Sequence, residues 1–258
     1  MTGIRLFFHQ LRYDQKLFWR NPASVFFSVV LPLIFLLLLG AVFGGDGGLD
    51  KKYGLKADEY LVPAIMTLGI VSATFVNTAM TITFQREAGV LKRMRGTPLP
   101  TPVFVATRTT SAVINAAIIA AIILAAGALV YGVDINAQRL LAVAVFTIFG
   151  AAAFCGLGFA WTIIVPNEGA ATAMTNAAVL PLYFISGVFG SADDLPKALA
   201  EIGRFFPVQH LGAGLFHAFS PNATGTGLSG GDLLNVMIWG IFGLVLAARY
   251  FRWTPRRD

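Results

Sequence analysis

The sequence predicts an all-α integral membrane protein: six transmembrane helices, an N-terminal amphipathic interface helix, a short helix between the second and third spans, and a re-entrant helical hairpin before the last. Three observations carry this. The chain is 56% hydrophobic and only 12% charged, with a mean hydropathy of +0.71, whereas an average soluble domain is roughly 25% charged. Its apolar runs reach about 20 residues without a charge, the length that crosses a bilayer. Its charges gather between those runs, most densely over residues 85–102. A net charge of +6 would suit nucleic acid, but here the positive residues flank apolar runs as membrane topology requires, so no nucleic-acid partner is expected. Cys155 stands alone in an apolar run, which excludes an intrachain disulfide, and no Cys/His cluster offers a metal site.

The whole chain, 1–258, reads as a single transmembrane domain. In residues 1–22, Ile4, Phe7, Phe8, Leu11, Phe18 and Trp19 recur at helical spacing while Arg5, Gln10, Arg12, Asp14 and Lys16 take the other side. That is the pattern of a helix lying in the interface, turned into the bilayer by Asn21 and Pro22. The next apolar run is longer than the hydrophobic part of a signal peptide, and no small-residue cleavage site follows it, so the segment is expected to stay. Residues 23–43 are the first span, with Pro32 expected to kink it. The loop 44–59 is too Gly-rich and charged for a packed element. Residues 60–84 are the second span and 102–131 the third.

As one helix, 139–191 would reach about 75 Å at 1.5 Å per residue. Pro166-Asn167-Glu168-Gly169 must therefore be a turn between a fourth span, 140–165, and a fifth, 170–187. In 191–219, Ser191 and Asp194 resemble a capping box, and Leu195, Leu199, Ile202 and Phe206 follow one helical face, interrupted by Gly203 and stopped by Pro207. A second apolar piece covers 208–219. Neither reaches the roughly 17 residues needed to cross, so the pair either dips into the membrane and returns, buried by protein, or lies flat on its surface. Residues 220–232 read as a flexible loop and 233–251 as the last span, followed by a basic tail.

Six spans put the N-terminus, the 85–100 loop and the C-terminus on one side, and that side carries most of the 19 Lys and Arg. It is therefore expected to be cytoplasmic, in a plasma or inner membrane. No Asp, Glu, Lys or Arg lies within a span away from its ends, which weakens a proton- or ion-coupled transporter. His9 reads as a solvated face residue, and His210 and His217, seven apart on one helical face, as interfacial polar residues rather than ligands; no set of groups for catalysis emerges.

The segment 85–102, QREAGVLKRMRGTPLPTP, cannot sit in hydrocarbon and must lie at a membrane surface. Gly96 is expected to end its helix in the left-handed region, and Thr101 with Pro102 to cap and begin the next one. Phe84-Gln85-Arg86-Glu87, Gly89-Val90-Leu91-Lys92-Arg93-Met94-Arg95 and Gly96-Thr97-Pro98-Leu99 resemble the first cytoplasmic loop of the permease subunits of type 2 ABC exporters, the drug-resistance, antibiotic and polysaccharide export group. The resemblance extends over nearly all of the chain.

The resemblance implies a non-catalytic transport subunit docked on a separate ATP-binding subunit, with two permeases, alike or different, and two ATPases. The loop helix would be the coupling helix, with Arg86, Glu87, Leu91, Lys92, Arg93 and Arg95 docking and Gly89 and Gly96 shaping the segment. Its basic residues could instead serve topology alone. No phosphate-cradling GxxxxGK[ST] loop is present, so ATP and magnesium would belong to the partner. The pathway would run between the two permeases along spans one, two and five. Asn77, Thr78, Thr81, Thr172, Thr175 and Asn176 either line it or bond helices together. An apolar pathway suits a hydrophobic or amphipathic cargo such as a drug, antibiotic or lipid-like molecule. A lipid-linked glycan or polysaccharide exporter is the alternative within the family, and a channel or secondary transporter the alternative outside it.

Overall fold

A computed structural model describes residues 3–43, 53–97, 99–133, 137–189, 195–223, 225–251 and 253–254, and every regular element among them is a helix. Helix α1 (Gly3–Trp19) comes first. The first span is continuous through α2 (Pro22–Val25), a π-helical turn (Phe26–Val30) and α3 (Leu31–Phe43), with Asn21 capping its start through bonds from the amides of Ala23 and Ser24. The irregularity expected at Pro32 appears as the π turn just before it, since the proline has no N–H to return to the preceding turn. The second span joins α4 (Ala57–Val71), a π turn (Ser72–Val76) and α5 (Asn77–Glu87). Then follow α6 (Val90–Arg95), α7 (Thr101–Tyr131), α8 (Ala137–Trp161), α9 (Glu168–Ile185), α10 (Lys197–Phe205), α11 (Pro207–Phe219) and α12 (Gly230–Tyr250).

Among the described residues, five helical runs are long and apolar enough to cross a membrane: Pro22–Val42, Glu59–Glu87, Thr101–Tyr131, Ala137–Trp161 and Gly230–Tyr250. Helix α9, with 18 residues, is about 27 Å long at 1.5 Å per residue, but Glu168, Thr172, Thr175 and Asn176 make it more polar. The second span is the hub. In it 78% of the most apolar stretch is buried by protein, against 22% in the last span, and it packs on α3, α7, α8, α9 and α11.

Several boundaries differ from the expected ones for local reasons. The second span begins at Ala57, because the Glu59 side chain accepts from the Lys56 amide, and Tyr53 and Leu55 are buried, so the end of the preceding loop is packed. The second span also runs on to Glu87, which leaves only six residues for the loop helix. Helix α8 starts before Leu140 and stops at Trp161, with a turn over Thr162 to Ile164, and the Asn167 side chain caps α9 at Ala170. Pro100, rather than Thr101, is the N-cap of α7. The capping box at Ser191 lies outside the described residues; α10 starts at Lys197 after Pro196. Residues 220–223 are held by Arg139, whose guanidinium donates to the carbonyls of Ser220, Pro221 and Ala223.

Helix α11 is buried nearly all round and packs on α4, α8, α9 and α12, so it lies among the spans rather than flat on a surface, while α10 is largely exposed. The tightest helix contact is α8 with α12, and glycines permit it. A Cβ on Gly243 would lie 2.7 Å from the Leu157 amide nitrogen and 2.8 Å from the Gly156 carbonyl carbon, and one on Gly240 would lie 2.8 Å from the Ala153 Cα. Backbone cannot yield as a side chain can. Gly243→Ala is therefore expected to cost about 1–3 kcal/mol, seen as a lower unfolding midpoint of the detergent-solubilised protein. Gly231→Ala, at a position with open space around its Cβ, should leave the midpoint in place.

Candidate functional site

The 85–97 segment is built on a reversal at the end of the second span. The Ala88 amide closes α5 on the Phe84 carbonyl, and Gly89 then takes φ +68, a left-handed turn that a side chain would strain. Gly96 has φ −78, so the left-handed residue stands before the loop helix and not after it. The end of α6 is closed instead by the Thr97 hydroxyl, which donates to the Met94 carbonyl at 2.6 Å. Leu91 is fully buried in a cluster with Ile82, Phe104 and Phe159. Lys92, Arg93, Arg95 and Gly96 are exposed, and Glu87 and Gly89 are half-buried. Alternation of one anchor with several outward cations makes α6 a firmly seated basic knob.

Arg86 points the other way. It is 2% exposed. One terminal nitrogen donates to the Thr162 carbonyl at 2.8 Å, the other to the carbonyls of Val165 at 2.8 Å and Pro166 at 3.1 Å, and Nε donates to the Glu87 carboxylate at 3.0 Å. A buried cation is tolerable only with its donors satisfied, and here the acceptors are carbonyls left free past the end of α8. Arg86 is thus withdrawn from the surface on which the resemblance placed it, and it bolts the root of the loop helix to the turn between α8 and α9.

A second tie joins α1 to the same end of the bundle. Asp14 is 3% exposed, and its carboxylate lies 3.5 Å from Arg108 Nε. Arg108 in turn donates to Gln85 Oε1 at 2.8 Å, and Gln15 donates to the Ser111 hydroxyl and carbonyl. Burial pushes the Asp14 carboxyl above its ordinary value, against the pull of Arg108 and of the Gln10 amide. The pattern had put Asp14 on the solvated face of α1, yet Asp14 and Phe18 face the bundle while Ile4 and Phe8 are exposed. Sequence reasoning missed Asp14, Gln15, Gln85 and Arg108 as a set. The available signal was Arg108, Ser111 and Asn115, spaced three and four apart in an apolar span.

Beside this tie a groove of about 420 Å³ runs between the first span, α5 and α9. Of the candidate pathway residues it brings together Asn77, Thr81, Thr172 and Asn176; its other walls include Phe27, Phe35, Met80 and Tyr183. Asn77 Oδ1 accepts from the hydroxyls of Ser24 at 3.1 Å and Thr81 at 3.3 Å. Thr78 turns from the groove to Cys155, with 3.6 Å between oxygen and sulfur, and Thr175 is fully buried on the inner side of α9. The arrangement can hold an apolar body with a few hydrogen bonds. Among the described residues there is no group of three or more His, Cys, Asp or Glu placed for a metal.

At the opposite end, His210 of α11 has Nδ1 2.7 Å from the Asp232 carboxylate and Nε2 2.8 Å from the Arg204 carbonyl. Both partners are acceptors, so the protonated, cationic imidazole is the form that satisfies both contacts. The hydrogen bond to Asp232 raises its pKa above 6.5.

Two outcomes follow from these contacts. Arg86→Met should lower unfolding stability on the order of 3 kcal/mol, because three carbonyls lose their donor, whereas Lys92→Ala should change it by less than about 0.5 kcal/mol. The stabilisation from His210 should be complete below its unfolded pKa and be lost as pH rises through the raised folded value. The unfolding midpoint should therefore fall as pH rises above His210's ordinary range, and His210→Gln should remove that component.

The sequence model of the family described as ABC-2 type transporter matches residues 5–219, from α1 through α11. No curated protein sequence matches the chain. Members of this family are membrane-embedded transport components, not catalytic ones, and the family implies an ATP-binding subunit as partner. The apolar helices, the basic loop helix and the match over most of the chain agree: this protein belongs to the ABC-2 type transporter family, as a permease subunit.

Proposed function

We propose that the chain is the permease half of an ATP-driven exporter of hydrophobic or amphipathic molecules, with α6 as its coupling helix. One observation carries this reading: α6 presents Lys92, Arg93 and Arg95 outward while Leu91 and Arg86 fix its base to two different parts of the bundle. A knob of this kind transmits a push rather than absorbing it. Glu87 and the three cations would meet the ATPase, Gly89 and Gly96 would shape the segment, and Arg86 and Leu91 would carry the load inward. ATP and magnesium would reside on the partner.

Counting α9 as the more polar fifth crossing gives six spans and, by the positive-inside bias, cytoplasmic termini. Two permeases, each with an ATP-binding subunit, would enclose a pathway along the groove of Asn77, Thr81, Thr172 and Asn176. The apolar walls of that groove support a hydrophobic or amphipathic cargo such as a drug, antibiotic or lipid-like molecule.

Mild-detergent purification of the tagged chain from its native membrane should bring along a protein with a phosphate-binding loop, at about one copy per permease. Joint reversal of Lys92, Arg93 and Arg95 to Glu should cut that recovery several-fold with membrane insertion unchanged. Wild-type recovery from the triple variant, or a chain that repeatedly purifies intact and alone, would overturn the docking assignment.

A further inference from the structure

A polar chamber of about 170 Å³ lies between α1, α5 and α7, well above the roughly 10–15 Å³ that holds one water. Asn21, Ser24, Asn77, Thr81 and Phe84 line both this chamber and the apolar groove, so the two spaces adjoin. Inside it Asn115 is 2% exposed, and its Oδ1 has no hydrogen-bond partner among the described residues. Asp14 Oδ2 and Arg108 Nε also lack a hydrogen bond among these residues, although they face each other at 3.5 Å. A buried acceptor left unpaired keeps its desolvation penalty, and a donor brought by a ligand would remove it.

We infer that this chamber is a headgroup site for a neutral, hydroxyl-bearing, single-tailed amphipath taken from the surrounding lipid as cargo, its tail lying in the groove. The inference rests on the reading of the groove as the transport pathway and adds the head chemistry. The charges of Asp14 and Arg108 cancel, so the site gives neither an anion nor a cation a net attraction, and a charged head would lose its hydration without return. A hydroxyl donates to Asn115 Oδ1 and can accept from Arg108 Nε, matching two of the three unpaired atoms. The head is thereby selected by hydrogen bonding and the tail by apolar burial, in adjoining spaces.

The test is a titration of the purified full-length protein, followed by native mass spectrometry, with three probes sharing one tail: monooleoylglycerol, oleylamine and oleate. Monooleoylglycerol should bind at least about tenfold more tightly than the other two, the factor set by one well-placed hydrogen bond. Asn115→Leu should reduce its affinity about tenfold and leave oleylamine and oleate nearly unchanged. If that variant does not fold, Asn115→Asp, which keeps the shape and adds a negative charge, should shift the preference to oleylamine. Equal binding of all three heads, or indifference to both variants, would overturn the inference and leave the chamber as a water-filled space. Because binding is read on this chain alone, head selection can persist when no ATPase co-purifies, and it can fail when one does; the two readings are separable.

Discussion

Burying a guanidinium is among the costlier things a membrane bundle can do, and the end of the second span depends on having done it. Arg86 is held by the carbonyls of Thr162, Val165 and Pro166, groups that would themselves be stranded where α8 unwinds. Each side of the contact removes the other's penalty. The result fixes the distance between the second span and the turn leading into α9, and that turn starts one wall of the groove. Leu91 adds a second, apolar fixing point one turn further along. Beyond the two spans it connects in sequence, the loop helix is therefore tied to α8 and to the turn that follows it.

The Asp14, Arg108 and Gln85 chain extends the same logic to α1. It brings α1, α5 and α7 together through polar contacts between largely buried side chains, where a low local dielectric strengthens each of them. With the Arg86 contacts it yields one connected platform: α1, the foot of the second span, α6 and the turn after α8. In the proposed exporter, this is the body that an ATPase would move, and the polar chamber and the groove lie immediately against it.

Apolar run length made the spans legible, because the bilayer imposes a length that composition alone reveals. The basic loop between the second and third spans was legible too, since Lys92, Arg93 and Arg95 are exposed as such residues should be. What could not be read was direction. Arg86 stands in the same basic run but faces inward, because its acceptors, some 80 positions later, are free only where α8 stops. Asp14 looked solvated because a helical wheel reports which residues share a face, not which neighbour that face meets. Gly96 was assigned the left-handed turn that Gly89 makes; both are glycines at the edge of one short helix, and the difference is set by where α5 ends. Thr78 and Thr175 share helices with Asn77 and Asn176, yet only the latter two reach the groove, a distinction of about 100° per residue that depends on the packing partners.

Helix α7 has 31 residues and is therefore about 46 Å long, some 16 Å more than a hydrocarbon core of roughly 30 Å requires. At the end bearing Pro100 the helix carries Phe104, in the Leu91 cluster, and Arg108, bonded to Gln85, so its first turns serve the seat of α6. Inserting four residues just after Arg108 would lengthen the helix by about 6 Å and swing Phe104 and Arg108 about 40° around it relative to the rest of the span, breaking both contacts. The length of a single helix thus sets both how far the seat of α6 lies from the other end of the third span and which way its contacts face.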